Sequence, residues 1–186
     1  MILFFDTSAL VKFFHREEGT DVVTSLITDP GNRVWVSELA RLEFGCALHR
    51  RFRMKEIDED QLMRALDGFS SEFSRFNTRK IGSAVLDEAE TLVNRLGKSV
   101  GLRALDAIHL ATFSLFNQLE EMSFVATDEI LLSAARSIRA KVKNPVLPHG
   151  ASSKEKARPF IPALPSGAFW LFHVIDPLHG PGIISP

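Results

Sequence analysis

The sequence predicts an α/β fold built on a parallel sheet. Three observations carry this. Short apolar runs alternate with amphipathic helical patterns through about the first 145 residues. The first run, Ile2-Leu3-Phe4-Phe5, is bulky and apolar at every position, which suits a strand covered on both faces. Turn and cap residues punctuate the changes of period.

Taken in order, residues 2–5 form the first strand, and Asp6-Thr7-Ser8 forms a turn and helix cap. A helix follows from about Ala9 and breaks near Gly19. Thr20 to Thr28 is helical, and Asp29-Pro30-Gly31-Asn32 is a turn. Arg33 to Val36 reads as the second strand, with Ser37 capping a long helix that runs to about Lys55. Asp58 to Arg75 is helical and Phe76 to Ile81 is a third strand. Ser83 to Leu96 places Val85, Ala89, Leu92, Val93 and Leu96 on one helical face, and Gly97 and Gly101 are expected to break it. Leu102 to Asn117 is a helix, Ser123 to Thr127 a fourth strand, Asp128 to Ala140 a helix, and Val142 opens a fifth strand.

The composition changes at Asn144-Pro145. Eight of the nine prolines lie in residues 145–186, a stretch with no helical period. The expected organisation is one domain over 1–145 and a Pro-rich extension over 146–186. Within the extension, Ala168 to Ile175 is apolar enough to dock on its own domain, on a second copy or on a partner's groove.

Of the 186 residues, 45% are hydrophobic and 24% charged, enough apolar material for a real core. The formal net charge of −1 excludes attachment to nucleic acid by bulk charge, so such binding would need a local patch. The single cysteine, Cys46, excludes an intramolecular disulfide and a cysteine zinc site, and is expected to be a small buried hydrophobe. No secretory or membrane-spanning stretch is visible, so a cytoplasmic protein is expected.

Ligands of open parallel sheets bind at the carboxyl ends of the strands. Asp6 follows the first strand and Asp128 the fourth, so both belong on that edge. Glu43 and Asp106 stand out differently, as acids interrupting apolar helical sequence. An isolated carboxylate in apolar surroundings is costly, and four converging ones repel each other. A bound Mg²⁺ or Mn²⁺, which prefers hard oxygen ligands, resolves both problems. Plainer readings stand beside this one. Asp6 and Asp128 would each serve as a helix cap, Asp106 would complement a helix dipole, and Glu43 would be a solvated helix residue.

Four segments, in order, resemble the motifs of PIN domains of the VapC type. They are Phe5-Asp6-Thr7-Ser8-Ala9-Leu10-Val11-Lys12, then Glu43 with Ala47-Leu48-His49-Arg50-Arg51, then Gly101 to Thr112 around Asp106, and Phe124-Val125-Ala126-Thr127-Asp128. The resemblance covers about residues 1–145. It implies a three-layer α/β/α sandwich with a central five-stranded parallel sheet. It further implies a Mg²⁺- or Mn²⁺-dependent endoribonuclease, the toxin of a toxin–antitoxin pair, with a cognate antitoxin as partner and a homodimer as a common assembly. Carried over by motif, Asp6, Glu43, Asp106 and Asp128 are the catalytic, metal-binding acids. Ser8 or Thr7 would orient Asp6 or bind phosphate, and Thr127 would do the same beside Asp128.

The reaction so implied is hydrolysis of an RNA phosphodiester. Arg50, Arg51 and Arg53, with His49 and Lys55, form a basic run on the Glu43 helix. It reads either as a phosphate track or as a solvated helix end. His109, on an apolar helix, reads as a packed, hydrogen-bonded histidine, and Phe13 and Phe14 as core or partner surface. A receiver domain would want paired acids after the first strand, and a haloacid-dehalogenase-type phosphatase an Asp where Ser8 stands. A non-catalytic PIN-like RNA-binding module should have lost one of the acids, and all four are present.

Overall fold

A computed structural model describes residues 1–14 and 17–146. The expected extension therefore lies, save for Val146, outside the described residues. The elements are β1 (Ile2–Phe5), α1 (Thr7–Phe14), α2 (Thr20–Thr28), β2 (Arg33–Ser37), α3 (Leu39–Arg53) and α4 (Glu59–Phe73). After them come β3 (Asn77–Arg79), α5 (Ser83–Val100), α6 (Ala104–Asn117), β4 (Ser123–Val125), α7 (Glu129–Ser137) and β5 (Lys141–Lys143).

The five strands form one sheet in the order β3-β2-β1-β4-β5, and every neighbouring pair is parallel. β1 is central, as its uniformly apolar sequence requires. The two-residue period of a strand then divides the core. Leu3 and Phe5 face the layer of α1 to α4, with Val34 and Val36 beside them. Phe4 faces the layer of α5 to α7, with Phe124 and Trp35. Aromatic rings fill both layers. Phe14, Phe44 and Phe69 interlock on the first, with Phe44 and Phe69 stacked at 3.8 Å. Phe4, Phe113 and Phe124 meet on the second. The predicted three-layer α/β/α sandwich is the observed one, and Phe13 and Phe14 belong to its core.

Three local expectations need correction. α1 begins at Thr7, before Ala9, because Leu10 N–H already bonds to the Asp6 carbonyl. α5 runs through Gly97 to Val100, since a cost of about 1 kcal/mol for one helical glycine is small against the buried face of Val85, Ala89, Leu92 and Leu96. It stops at Gly101, whose φ of 77° lies in the left-handed region. Cys46 is exposed. The α3 face that packs inward carries Ala40, Phe44 and Leu48, and Cys46 points away from it.

Candidate functional site

Counting outward from β1, the chain builds β2 and β3 to one side and then crosses to build β4 and β5 on the other. The topological switch point therefore lies between β1 and β4, where a crevice opens at the carboxyl edge. Asp6 sits at that point, its N–H donating to the Val125 carbonyl at 2.9 Å. One Asp6 oxygen, Oδ2, accepts from the Ser8 N–H at 2.9 Å. The loops after the two strands are cross-tied. Ser8 Oγ accepts from the Thr127 N–H at 3.1 Å, and Thr127 Oγ1 donates to the Ser8 carbonyl at 3.2 Å. Asp128 follows as the N-cap of α7, its Oδ1 accepting from the Leu131 N–H at 2.9 Å. Its capping role occupies one oxygen and leaves Oδ2 for the crevice.

The other two acids come from helices. Glu43 lies in the second turn of α3 and Asp106 in the first turn of α6. His109, one turn beyond Asp106, joins the groups. Its Nε2 lies 2.7 Å from Glu43 Oε2 and 3.7 Å from Asp6 Oδ1, and its side chain is 1% exposed. Thr7 also donates its hydroxyl to Glu43 Oε2. Ser8 thus holds Asp6 through its backbone, while Thr7 holds Glu43. On the other flank Arg103, the N-cap residue of α6, donates from Nε to Asp106 Oδ2 and from a terminal nitrogen to Asp128 Oδ2, both at 3.0 Å. Asp128, Arg103 and Asp106 thus form one linked group and Asp6, His109 and Glu43 a second, both reached from the same face of α6, and the charge of Asp6 acts on Asp106 between them.

The electrostatics follow from this crowding. Burial pushes the Asp106 carboxyl above the usual carboxylate range, and the charges of Asp6 and Asp128 add to it, against the opposing pull of Arg103. Burial also pushes Glu43 up, but the hydrogen bond and charge of His109 and the hydroxyl of Thr7 outweigh it and hold Glu43 low. Burial disfavours a charged His109, yet Glu43, Asp6 and Asp106 face it and together hold its pKa above the ordinary histidine value. Its Nδ1 is buried and has no hydrogen-bond partner among the described residues.

The basic run lies apart. Arg50 and Arg53 are exposed, and Arg51 is half-buried with its Nε on Glu56 at 3.0 Å. Arg50 is seven residues beyond Glu43, about 10 Å along the helix axis. Sequence reasoning left Arg103 and His109 out of the site. Their signal was spacing, since both stand three residues from Asp106 and so share its helical face.

Four carboxylates with one arginine and one histidine among them form a hard-oxygen donor set of the kind that takes Mg²⁺ or Mn²⁺. The excess of negative charge in a half-buried crevice fits a cation. Among the described residues, however, no three His, Cys, Asp or Glu side chains already surround one point as a metal would need. No helix among the described residues is long and apolar enough to cross a membrane.

Solved structures share the fold at low sequence identity. VapBC2 of Rickettsia felis, bound to a DNA fragment from its promoter, superposes with a TM-score of 0.54 at 16% identity, covering 77% of this chain and 98% of the other. VapBC-1 of nontypeable Haemophilus influenzae gives 0.54 at 15% identity, covering 78% and 98%. DNA-bound VapBC of Salmonella typhimurium gives 0.53 at 12% identity, covering 78% and 99%. No curated protein sequence matches the chain. The PIN domain family model matches residues 3–137, a span that runs from within β1 to the end of α7 and contains all four acids, and the chain belongs to the PIN domain family.

Proposed function

We propose that this protein is a divalent-metal-dependent endoribonuclease, the VapC-like toxin of a toxin–antitoxin pair. One observation carries the reading. Asp6, Glu43, Asp106 and Asp128 come from four separate elements and converge at the switch point of a PIN-family sheet. In this reading Asp6 and Asp106 are the firmest ligands of Mg²⁺ or Mn²⁺, with Glu43 and Asp128 completing the set. When bound, the metal supplies an activated water and neutralises charge on the scissile phosphate. The chain's own residues do the rest. The Ser8–Thr127 ties hold Asp6 and Asp128 in register, and the Thr7 and His109 hydrogen bonds fix Glu43 where it takes a proton from the attacking water or orients it. The products carry a 5′-phosphate and a 3′-hydroxyl. Arg50, Arg51 and Arg53 are the candidate contacts for more distant RNA phosphates.

Partners are proposed on the same basis. The similar structures are VapBC assemblies, which supports a cognate antitoxin for this chain. A homodimer and a cytoplasmic site of action belong to the same proposal. The test is incubation of total RNA with the protein and Mn²⁺ or Mg²⁺, followed by end-mapping. Cleavage should require the metal, and Asp6→Asn or Asp106→Asn should reduce it about a hundredfold or more with unchanged circular dichroism. Full cleavage in EDTA or by both variants would sink the mechanism. RNA binding without cleavage would make the chain a non-catalytic PIN-like binding module.

A further inference from the structure

We infer that Arg103 is a built-in counter-ion of the acid cluster: it bridges Asp106 and Asp128 while no cation is bound and competes with the divalent cation for them. The inference rests on the metal-binding reading above and deepens it. The geometry is specific. The guanidinium spends two different donors on two carboxylates from two elements, α6 and the N-cap of α7, each at 3.0 Å. A planar fork can do this, whereas the point charge of a lysine cannot hold both in the same way. The bridge also answers a need. Asp6 and Asp128 both act on Asp106, so the metal-free crevice repels itself without a positive charge between its walls.

Arg103 is also built to leave. Its side chain is 66% exposed, against 19% for Asp106 and 30% for Asp128. It sits at the N-cap in extended conformation, with φ −92° and ψ 162°, where its carbonyl accepts from the Ala107 N–H at 2.8 Å and so holds the backbone while the side chain stays free to move. The neighbouring Leu102 is buried and anchors the backbone, so the arginine swings out without moving α6. Exposed ion pairs are weak, each worth at most about fivefold in an equilibrium constant. Two of them are therefore displaceable by a divalent ion, yet strong enough to raise the concentration of cation the site needs. An arginine acting only as a structural brace makes the opposite prediction, since its loss would loosen the acids and weaken metal binding.

The experiment is calorimetric titration of Mn²⁺ into the metal-stripped full chain, its Arg103→Gln and Arg103→Lys variants, and Asp106→Asn. Circular dichroism checks that each is folded, and the melting temperature is followed with and without Mn²⁺. Arg103→Gln should bind Mn²⁺ about tenfold more tightly than wild type and show a larger Mn²⁺-induced rise in Tm. Arg103→Lys should fall between, and it decides the matter if the Gln variant does not fold. Binding by Arg103→Gln where wild type shows none is the same result in stronger form. Equal or weaker binding by the folded variants would overturn the inference and leave the metal site standing. No Mn²⁺ binding by any protein of the set would overturn the metal reading, and this inference with it.

Discussion

His109 and Glu43 form a pair that the pH dependence of the metal-free protein should expose. His109 has a folded pKa above its unfolded value near 6.5, so its stabilising contribution is full below that value and is lost as pH rises through the folded pKa. Glu43 has a folded pKa below its unfolded value near 4.5, so its contribution is full above that value and is lost as pH falls through the folded pKa. The two contributions coexist between these unfolded values. Asp106, raised by burial, works the other way, since its ionisation costs the folded state. In EDTA, the His109 ring signals followed by NMR should titrate above the ordinary histidine range. Glu43→Gln should bring the midpoint down and flatten the dependence of Tm on pH. An unmoved midpoint would show that Glu43 does not hold the ring. Asp6 and Asp128 were legible because each directly follows an apolar strand, and Glu43 and Asp106 because each interrupts an apolar helix. His109 read as a packed, hydrogen-bonded histidine, which it is. What no local pattern encodes is its partner, 66 residues earlier on another helix.

At the scale of elements, the position of Glu43 depends on how α3 is seated. Phe44, its neighbour in sequence, stacks on Phe69 of α4, while Phe14 of α1 meets both rings edge-on. Phe69 is 3% exposed, so Phe69→Ala leaves a cavity where three helices meet. It should cost about 3–5 kcal/mol in denaturant unfolding. Met63→Ala, on the exposed face of the same helix, should stay within about 0.5 kcal/mol. A loss below about 1 kcal/mol for Phe69→Ala would mean that the ring cluster does not seat α3. Helix and strand identity was legible in these segments because period and turn residues agree. Their ends were less so. Gly97 looked like a stop, and only the packing of α5 along α6 shows why the helix passes through it. Ser37 was read as the cap of α3, but it ends β2 and the N-cap is Glu38; Ser37 Oγ accepts the Leu39 N–H at 3.2 Å in the turn between them.

At the scale of the molecule, the described residues form five strands and seven helices and carry all four acids. Pro145 is buried near Gly19, where a β-carbon would stand 3.2 Å from the Pro145 carbonyl oxygen, so the chain after β5 packs on the start of α2. Deletion of residues 147–186 should leave a cooperative thermal transition and Mn²⁺-dependent RNA cleavage, and change self-association seen by size exclusion. An unfolded truncation would place the domain boundary further along; a folded but inactive one would mean that the extension reaches the site. The strand order has a consequence for synthesis. β1 pairs Leu3, Phe4 and Phe5 with Ser123, Phe124 and Val125, so the central ladder unites the two ends of the folded region. Such a long-range closure comes late, after a large loss of chain entropy. A ribosome that has translated Asp6, Glu43 and Asp106 has still to deliver β4 and Asp128. The growing chain therefore carries its first three acids unassembled until β4 has been made and has paired with β1.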